Sequence, residues 1–311
     1  MLYPLKFTPS FRSKIWGGQK IKQIFPKVKL ENIGEAWLLS GVEDNETAVS
    51  EGNLAANSIN DLVEIFMSDL LGDDNYIQFG ENFPLLFKFI DANDDLSIQV
   101  HPDAHFAEHH GFAEKNEAWY VLDADENAEL LLGFNRKTSK KQLLEAIQKG
   151  RLSDLLNHVK VAKGDLLFVP AGSIHAIGKG VMLAEIQQSS DTTFRIWDYD
   201  RIDTDGLSRK LHIEEALHCL DYEKTVPLID KFPLETPYFT IDNIKISSPH
   251  NLNLTDLDSF ICLLCVDGAA EIHTDLGDTG IKKGELVLLP AITNTLQINP
   301  KKEVEILTVN L

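Results

Sequence analysis

The chain is expected to be mainly β, built as two antiparallel jelly-roll barrels with a small set of helices inserted or packed alongside. Three observations lead there. Short runs alternating apolar and polar residues recur along most of the 311 residues, at the two-residue period of a strand. Gly, Pro, Asn and Asp punctuate them, as turns between short strands require. Finally, Gly164-Asp165-Leu166-Leu167-Phe168-Val169-Pro170-Ala171 is echoed by Gly284-Glu285-Leu286-Val287-Leu288-Leu289-Pro290-Ala291. Repeated strands closed by Pro-Ala bends fit a double sheet that protects its own edges. The repeat divides the chain into a first domain over 1–234 and a smaller one over 235–311. His175 in the first copy is answered by Thr295 in the second, so the second is read as degenerate and without metal ligands.

In chain order, Leu5 to Ile15 reads as extended and Trp16-Gly17-Gly18 as a turn. Ile33 to Ser40 reads as a strand whose Glu35 either faces a site or, the favoured reading, is solvated or paired. Residues 57–71 predict a helix, since Leu62, Ile65, Phe66 and Leu70 share a helical face and Gly72 stands where a helix stops. Pro84 to Ile90 is a buried strand carrying one charge, Lys88. In Leu96 to His101 the alternation puts Gln99 and His101 on one face and Ile98 and Val100 on the other, and Pro102 ends the run. His105, His109 and His110 fall on a short exposed helix or loop. Ala118 to Leu122 reads as a strand paired with the first, with Glu117 at its mouth and Lys115 two residues earlier on the same side. Residues 139–159 read as helical, Ser139 and Gln142 fitting a capping box. Val181 to Asp200 is strand-rich, 211–220 helical, and Val226 to Pro237 a linker.

A pattern with metal-binding character emerges from these placements. Gln99 supplies an amide oxygen, His101 and His175 imidazoles and Glu117 a carboxylate, which leaves room for solvent or substrate at an open site. Lys88 is costly within its apolar strand unless it meets an anion or snorkels outward. Arg195 stands between aromatics on an alternating run, shaped to hold a carboxylate or phosphate, or to pair with Asp198 or Asp200. Cys262 and Cys265 match C-x-x-C, but three residues apart on a strand they face opposite ways and read as core.

Composition narrows the class. With 43% hydrophobic and 25% charged residues the chain is globular. A formal net charge of −19 argues against sequence-independent binding of nucleic acid or an anionic membrane. No apolar run approaches spanning length, no secretory leader is apparent, and three cysteines suit a reducing cytoplasm.

Several separated stretches resemble one family. They are Pro84 to Asp103, Lys115-Asn116-Glu117-Ala118-Trp119-Tyr120-Val121, Val169 to Gly178 and Thr193 to Arg201. Together with Trp16-Gly17-Gly18, Gly34-Glu35-Ala36-Trp37 and Leu211-His212-Ile213, they are similar to type I mannose-6-phosphate isomerases in their short bacterial form. The resemblance implies a cupin fold and one Zn²⁺ per chain, held by Gln99, His101, Glu117 and His175. It places the family's catalytic arginine on Arg195 and its pocket lysines on Lys88 and Lys115. Asn116 and Ala118 depart from the Thr and Cys frequent in relatives. The implied reaction interconverts mannose 6-phosphate and fructose 6-phosphate through a cis-enediol. Lys115 is then the leading candidate for proton transfer, with Glu or His alternatives, and Lys88 or Arg195 would meet the substrate's phosphate. An isomerase of another aldose phosphate, a metal oxygenase and a non-catalytic sugar-phosphate binder are the rival readings.

Overall fold

A computed structural model describes residues 1–202, 206–225, 227 and 229–311, and every count below is of these residues. The chain forms two compact units. One comprises Met1–Ser10, Trp37–Leu86 and Lys231–Leu311; the other comprises Phe11–Ala36 and Phe87–Asp230. Neither unit is one continuous stretch of chain, because two N-terminal segments cluster with the C-terminal one. Val226 and Leu228 of the expected linker lie outside the described residues.

The strands that build the site are β1 (Ser10–Gly18), β2 (Ile33–Ser40), β3 (Leu85–Asp91), β4 (Ile98–Val100), β5 (Glu117–Ala124), β6 (Glu129–Phe134), β7 (Leu156–Lys160), β8 (Leu166–Val169), β9 (His175–Ile177), β10 (Val181–Gln188) and β11 (Phe194–Trp197). One sheet has the order β1-β2-β3-β10-β5-β8, and a second the order β11-β4-β9-β6-β7. Between them lies an apolar layer drawn from both, with Trp119, Val121, Leu167 and Leu183 from the first and Leu130, Leu132 and Ile177 from the second, joined by Leu96 just before β4. The outer face of the second sheet is also buried. Ile98, Val100, Ala176, Phe194 and Ile196 pack there with Leu143, Leu152 and Leu155, and with Ala216 and Cys219 of a later helix. Strand parity therefore divides β4, β9 and the start of β11 between an apolar outer layer and the interior; past Arg195 the register shifts, and Trp197 joins Ile196 on the outer layer.

The Trp16-Gly17-Gly18 run continues β1 instead of turning. Its glycines answer a close approach: a Cβ on Gly18 would lie 2.4 Å from both carboxylate oxygens of Asp91. That carboxylate accepts the backbone N–H of Lys20 at 2.6 Å and of Ile21 at 3.3 Å, at the start of helix α1 (Lys20–Ile24).

The helical stretches differ from expectation in two places. Residues 57–71 form α2 (Ile59–Phe66), capped by a Ser58–Asp61 box, and α3 (Ser68–Leu71). The break is Met67, whose φ of 51° no helix continues through. Residues 139–159 form α6 (Lys140–Gln148), after α4 (Asp73–Phe79) and α5 (Ala104–His110), and Ser139 accepts the Gln142 N–H as expected. A 3₁₀ turn over Leu152–Leu155 follows, but 156–160 are strand β7. The unpaired edge of β6 overrides local helical preference there, with Leu130 opposite Val159 and Glu129 opposite Lys160. The 211–220 helix is α7 (Ile213–Cys219).

In the C-terminal segment β14 (Ile261–Thr274), β16 (Leu286–Leu289) and β17 (Thr295–Asn310) share a sheet with β12 (Thr240–Ile246), β13 (His250–Asn253) and β15 (Gly277–Lys282). The echo of the two octapeptides is visible in the backbone. Gly164 and Gly284 open them at φ of 97° and 89°, and each Pro carbonyl accepts the N–H three residues on, from Ser173 and from Thr293. Past that point the copies diverge. His175 is buried, whereas Thr295 is exposed and Leu296, 1% accessible, turns into the core. Cys262 and Cys265 are buried free thiols on β14, and burial pushes both up.

Candidate metal centre

At one end of the space between the two sheets the apolar layer gives way to polar side chains. His175 on β9 pairs with Gln99 on β4, and Gln99 pairs with Arg195 on β11. Directly paired residues share a face, so the three form one row on the second sheet. Glu117 enters from the first sheet, where it pairs with Gln187 of β10 and Val169 of β8. The two strands expected to pair, β4 and β5, thus lie in different sheets, and the carboxylate reaches the imidazoles across the interior. No local pattern discloses that pairing.

His101, Glu117 and His175 present potential ligand atoms all within 4.8 Å of one another. His101 Nε2 lies 3.2 Å from Glu117 Oε2, and His175 Nε2 lies 3.5 Å from Glu117 Oε1. The other nitrogen of each ring settles its tautomer. His101 Nδ1 is 2.9 Å from the Thr192 carbonyl and His175 Nδ1 is 2.9 Å from the Ser173 carbonyl. A carbonyl only accepts, so both Nδ1 atoms carry the proton and both Nε2 atoms turn lone pairs toward the carboxylate. Gln99 Nε2 stands 3.3 Å from His175 Nε2, and its oxygen accepts from Ser97 at 3.2 Å.

Protonation states follow from burial and charge. Burial, then the Lys115 charge, push His101 down to about 3. Burial likewise lowers His175. Burial alone would raise Glu117, but Lys115 and the two imidazoles hold it well below the usual carboxylate range. At neutral pH the cluster is two neutral imidazoles and one carboxylate, the states in which these groups ligate a cation.

Whether the donor set fits a metal can be judged from Glu117. Both of its oxygens are buried without a hydrogen-bond partner among the described residues. Lys115 Nζ does come within 3.1 Å of Oε2, yet off the hydrogen-bonding direction. An ionised carboxylate flanked by two Nε2 lone pairs is an arrangement of acceptors that draws positive charge, which Lys115 supplies on the side of Oε2 and His101. The residues fit a divalent metal.

Lys115 is 3% exposed and also lies 3.0 Å from His101 Nε2. Lys88, 7% exposed, meets the anion its setting demanded. Its ammonium donates to Glu185 at 2.9 Å and to the Gln187 oxygen at 2.6 Å. Glu185 and Gln187 escaped the sequence reading, although both sit on the inward parity of β10. Arg195 donates through Nη1 to the Lys210 carbonyl at 3.1 Å, and its Nε is buried without a partner among the described residues. Asp198, the alternative partner for that guanidinium, is instead clamped by Arg201 and Arg209. Glu35 pairs with Lys14 at 3.0 Å. His105 and His109 stack on the exposed face of α5.

Comparison with known proteins adds a second line of observation. Residues 4–137 match the family model for the type I phosphomannose isomerase catalytic domain, and 229–308 match that for the mannose-6-phosphate isomerase cupin domain. The chain is 33% identical to mannose-6-phosphate isomerase ManA of Bacillus subtilis over 300 residues, covering 92% of this chain and 93% of that one. It is 35% identical to a mannose-6-phosphate isomerase of Streptococcus mutans over 316 residues, 98% of each. Among solved structures it resembles mannose 6-phosphate isomerase from Bacillus subtilis with a TM-score of 0.89 and 29% identity, covering 99% of both chains. No helix among the described residues is long and apolar enough to cross a membrane.

Proposed function

Since this chain belongs to the type I mannose-6-phosphate isomerase family, we propose that it interconverts mannose 6-phosphate and fructose 6-phosphate with one Zn²⁺ held by Gln99, His101, Glu117 and His175. The observation that carries this reading is the buried Glu117 carboxylate facing two imidazole lone pairs without a hydrogen-bond partner among the described residues. Two nitrogens and one carboxylate oxygen are a donor set zinc accepts. Gln99 completes it once its amide rotates to present the oxygen, since the present orientation sends the nitrogen toward His175. When bound, the metal supplies a Lewis acid that polarises the sugar's carbonyl or the neighbouring hydroxyl.

The chain's own residues do the rest. Isomerisation moves a proton from carbon 2 of the open-chain aldose to carbon 1 through a cis-enediol, so one group must take that proton and return it. Lys115 is assigned that role because its amine is buried beside the ligands. Arg195, in the same row as Gln99 and His175, stabilises the negative charge that develops on oxygen and helps hold the phosphate. An aimed donor of this kind is worth ~3–4 kcal/mol. Lys88, the alternative partner for the phosphate, already gives its ammonium to Glu185 and Gln187, so the phosphate falls first to Arg195. We further read the ligands as confined to 1–234, with 235–311 a related barrel that has lost them. Three free thiols suit a cytoplasmic enzyme.

Chelation should abolish formation of fructose 6-phosphate in a coupled assay, and Zn²⁺ should restore it. Glu117→Ala should lose the metal, whereas Arg195→Ala should keep it and lose turnover by roughly 10²–10³-fold. Near-full kcat in Arg195→Ala would remove the charge-stabilising role, and full activity in exhaustively chelated protein would remove the metal.

A further inference from the structure

The Gln187 side chain is fully buried. Its oxygen accepts from Lys88 at 2.6 Å, and its amide nitrogen donates to the Gln188 carbonyl at 2.8 Å and to the Ser190 carbonyl at 2.6 Å. An ammonium only donates and a carbonyl only accepts, so the amide has a single orientation here. The first carbonyl ends β10 and the second lies in the connection that leads from β10 to β11. Within it Ser190 N donates to Gln188 O at 2.7 Å, and Ser190 Oγ accepts from Thr192 N at 3.3 Å. Two residues past Ser190, the Thr192 carbonyl takes the Nδ1–H of His101 at 2.9 Å. An unbroken series of contacts therefore runs from Lys88 through the Gln187 amide and the turn to one imidazole of the metal centre.

We infer that Gln187 is a positioning residue for His101. By holding the carbonyls of residues 188 and 190 it determines where the Thr192 carbonyl stands. That carbonyl, with the Lys115 ammonium 3.0 Å from Nε2 on the other side of the ring, keeps the ring in its Nδ1–H form with Nε2 beside Glu117. Gln187 acts through main chain and touches no reacting atom. Its functional consequence rests on the metal reading above; its structural consequence does not. Groups in this position around metal ligands change affinity or activity by about 10–100-fold when replaced.

The test uses the full chain with Gln187→Glu, which keeps the shape and the acceptor for Lys88 but has no N–H to give the turn. Ser190→Ala serves as an independent perturbation that leaves Gln187 intact and frees Thr192 N. Long-range ¹H–¹⁵N spectra of histidine-labelled, chelator-treated protein report the tautomer of each ring, with His175, held by Ser173, as internal control. Zn²⁺ affinity is measured by chelator competition. In both variants His101 should shift toward a tautomer mixture while His175 stays Nδ1–H, and Zn²⁺ binding should weaken about 10-fold or more. An unchanged His101 tautomer in folded Gln187→Glu overturns the inference, as does equal disturbance of both rings. Should Gln187→Glu fail to fold, the same comparison in Gln187→Met, which also has no N–H to give the turn, decides. Wild-type protein that binds no Zn²⁺ would sink the metal reading, while the tautomer spectra would still decide the role of Gln187.

Discussion

Replacing Lys88 with Met isolates the energetics of the polar wall. Lys88 and Glu185 are 7% and 4% exposed, and their charged atoms are 2.9 Å apart. Trp119 Nε1 donates to the other Glu185 oxygen at 3.2 Å. Lys88→Met keeps the length and apolar stem of the side chain but removes the charge. Glu185 then keeps its indole but loses the ammonium, and the Gln187 oxygen loses its donor. Removing one partner of a buried pair costs ~3–5 kcal/mol, whereas neutralising both is far milder. Lys88→Met should therefore lose stability on that scale in urea unfolding followed by tryptophan fluorescence. Lys88→Met/Glu185→Gln, which keeps an acceptor for Trp119, should recover most of it. The alkaline limb carries a second signature. Burial favours the neutral amine, but the Glu185 and Glu35 charges outweigh it and raise the Lys88 pKa. The stabilisation is thus fully present below the ordinary lysine pKa and lost as pH rises through the folded one. The gap between wild type and Lys88→Met should narrow there. A single-mutant cost under about 1 kcal/mol, or a double mutant no better than the single, would refute the buried-pair account.

Three other perturbations have defined outcomes. Burial pushes Asp198 up, but hydrogen bonds from Arg209 and Arg201 hold it below the usual aspartate value. Its stabilisation is present above that value and fades as pH falls through the folded pKa. Asp198→Asn should therefore lower the urea midpoint at pH 7 and converge with wild type in acid. Asn116 Oδ1 accepts the Ala171 N–H at 2.8 Å, and its Nδ2 donates to Gln188 at 2.8 Å. Asn116→Ala should cost ~1–3 kcal/mol by leaving the Ala171 N–H without its acceptor, read by thermal unfolding. Gly18→Ala must displace Asp91 and should cost ~1–3 kcal/mol as overpacking; unchanged stability would show that the carboxylate moves freely.

Parity made much of the centre legible. Gln99 and His101 turn inward because Ile98 and Val100 turn outward to the helix-covered layer, and a six-residue run suffices to see that. Lys88 signalled an unseen anion by its cost alone. Its partners stayed hidden because Glu185 and Gln187 come from a strand almost a hundred residues on, and only sheet order brings them together. The same holds for β4 and β5, assigned to one ladder from proximity in sequence but separated into two sheets. Residues 156–160 read as helix because an edge strand's hydrogen bonds depend on a neighbour the local pattern does not contain. Met67 broke a helix whose apolar spacing ran straight through it, a backbone event with no periodic trace.

The imidazoles of His101 and His175 are each oriented by a peptide carbonyl, those of Thr192 and Ser173. No codon change deletes a peptide oxygen. Side chains at 173 and 192 are consequently free to drift over generations without altering which ring nitrogen bears its proton, provided the loops keep their course. The vulnerability of such a centre is topographic: an insertion or deletion in either loop should harm it more than most point substitutions within them.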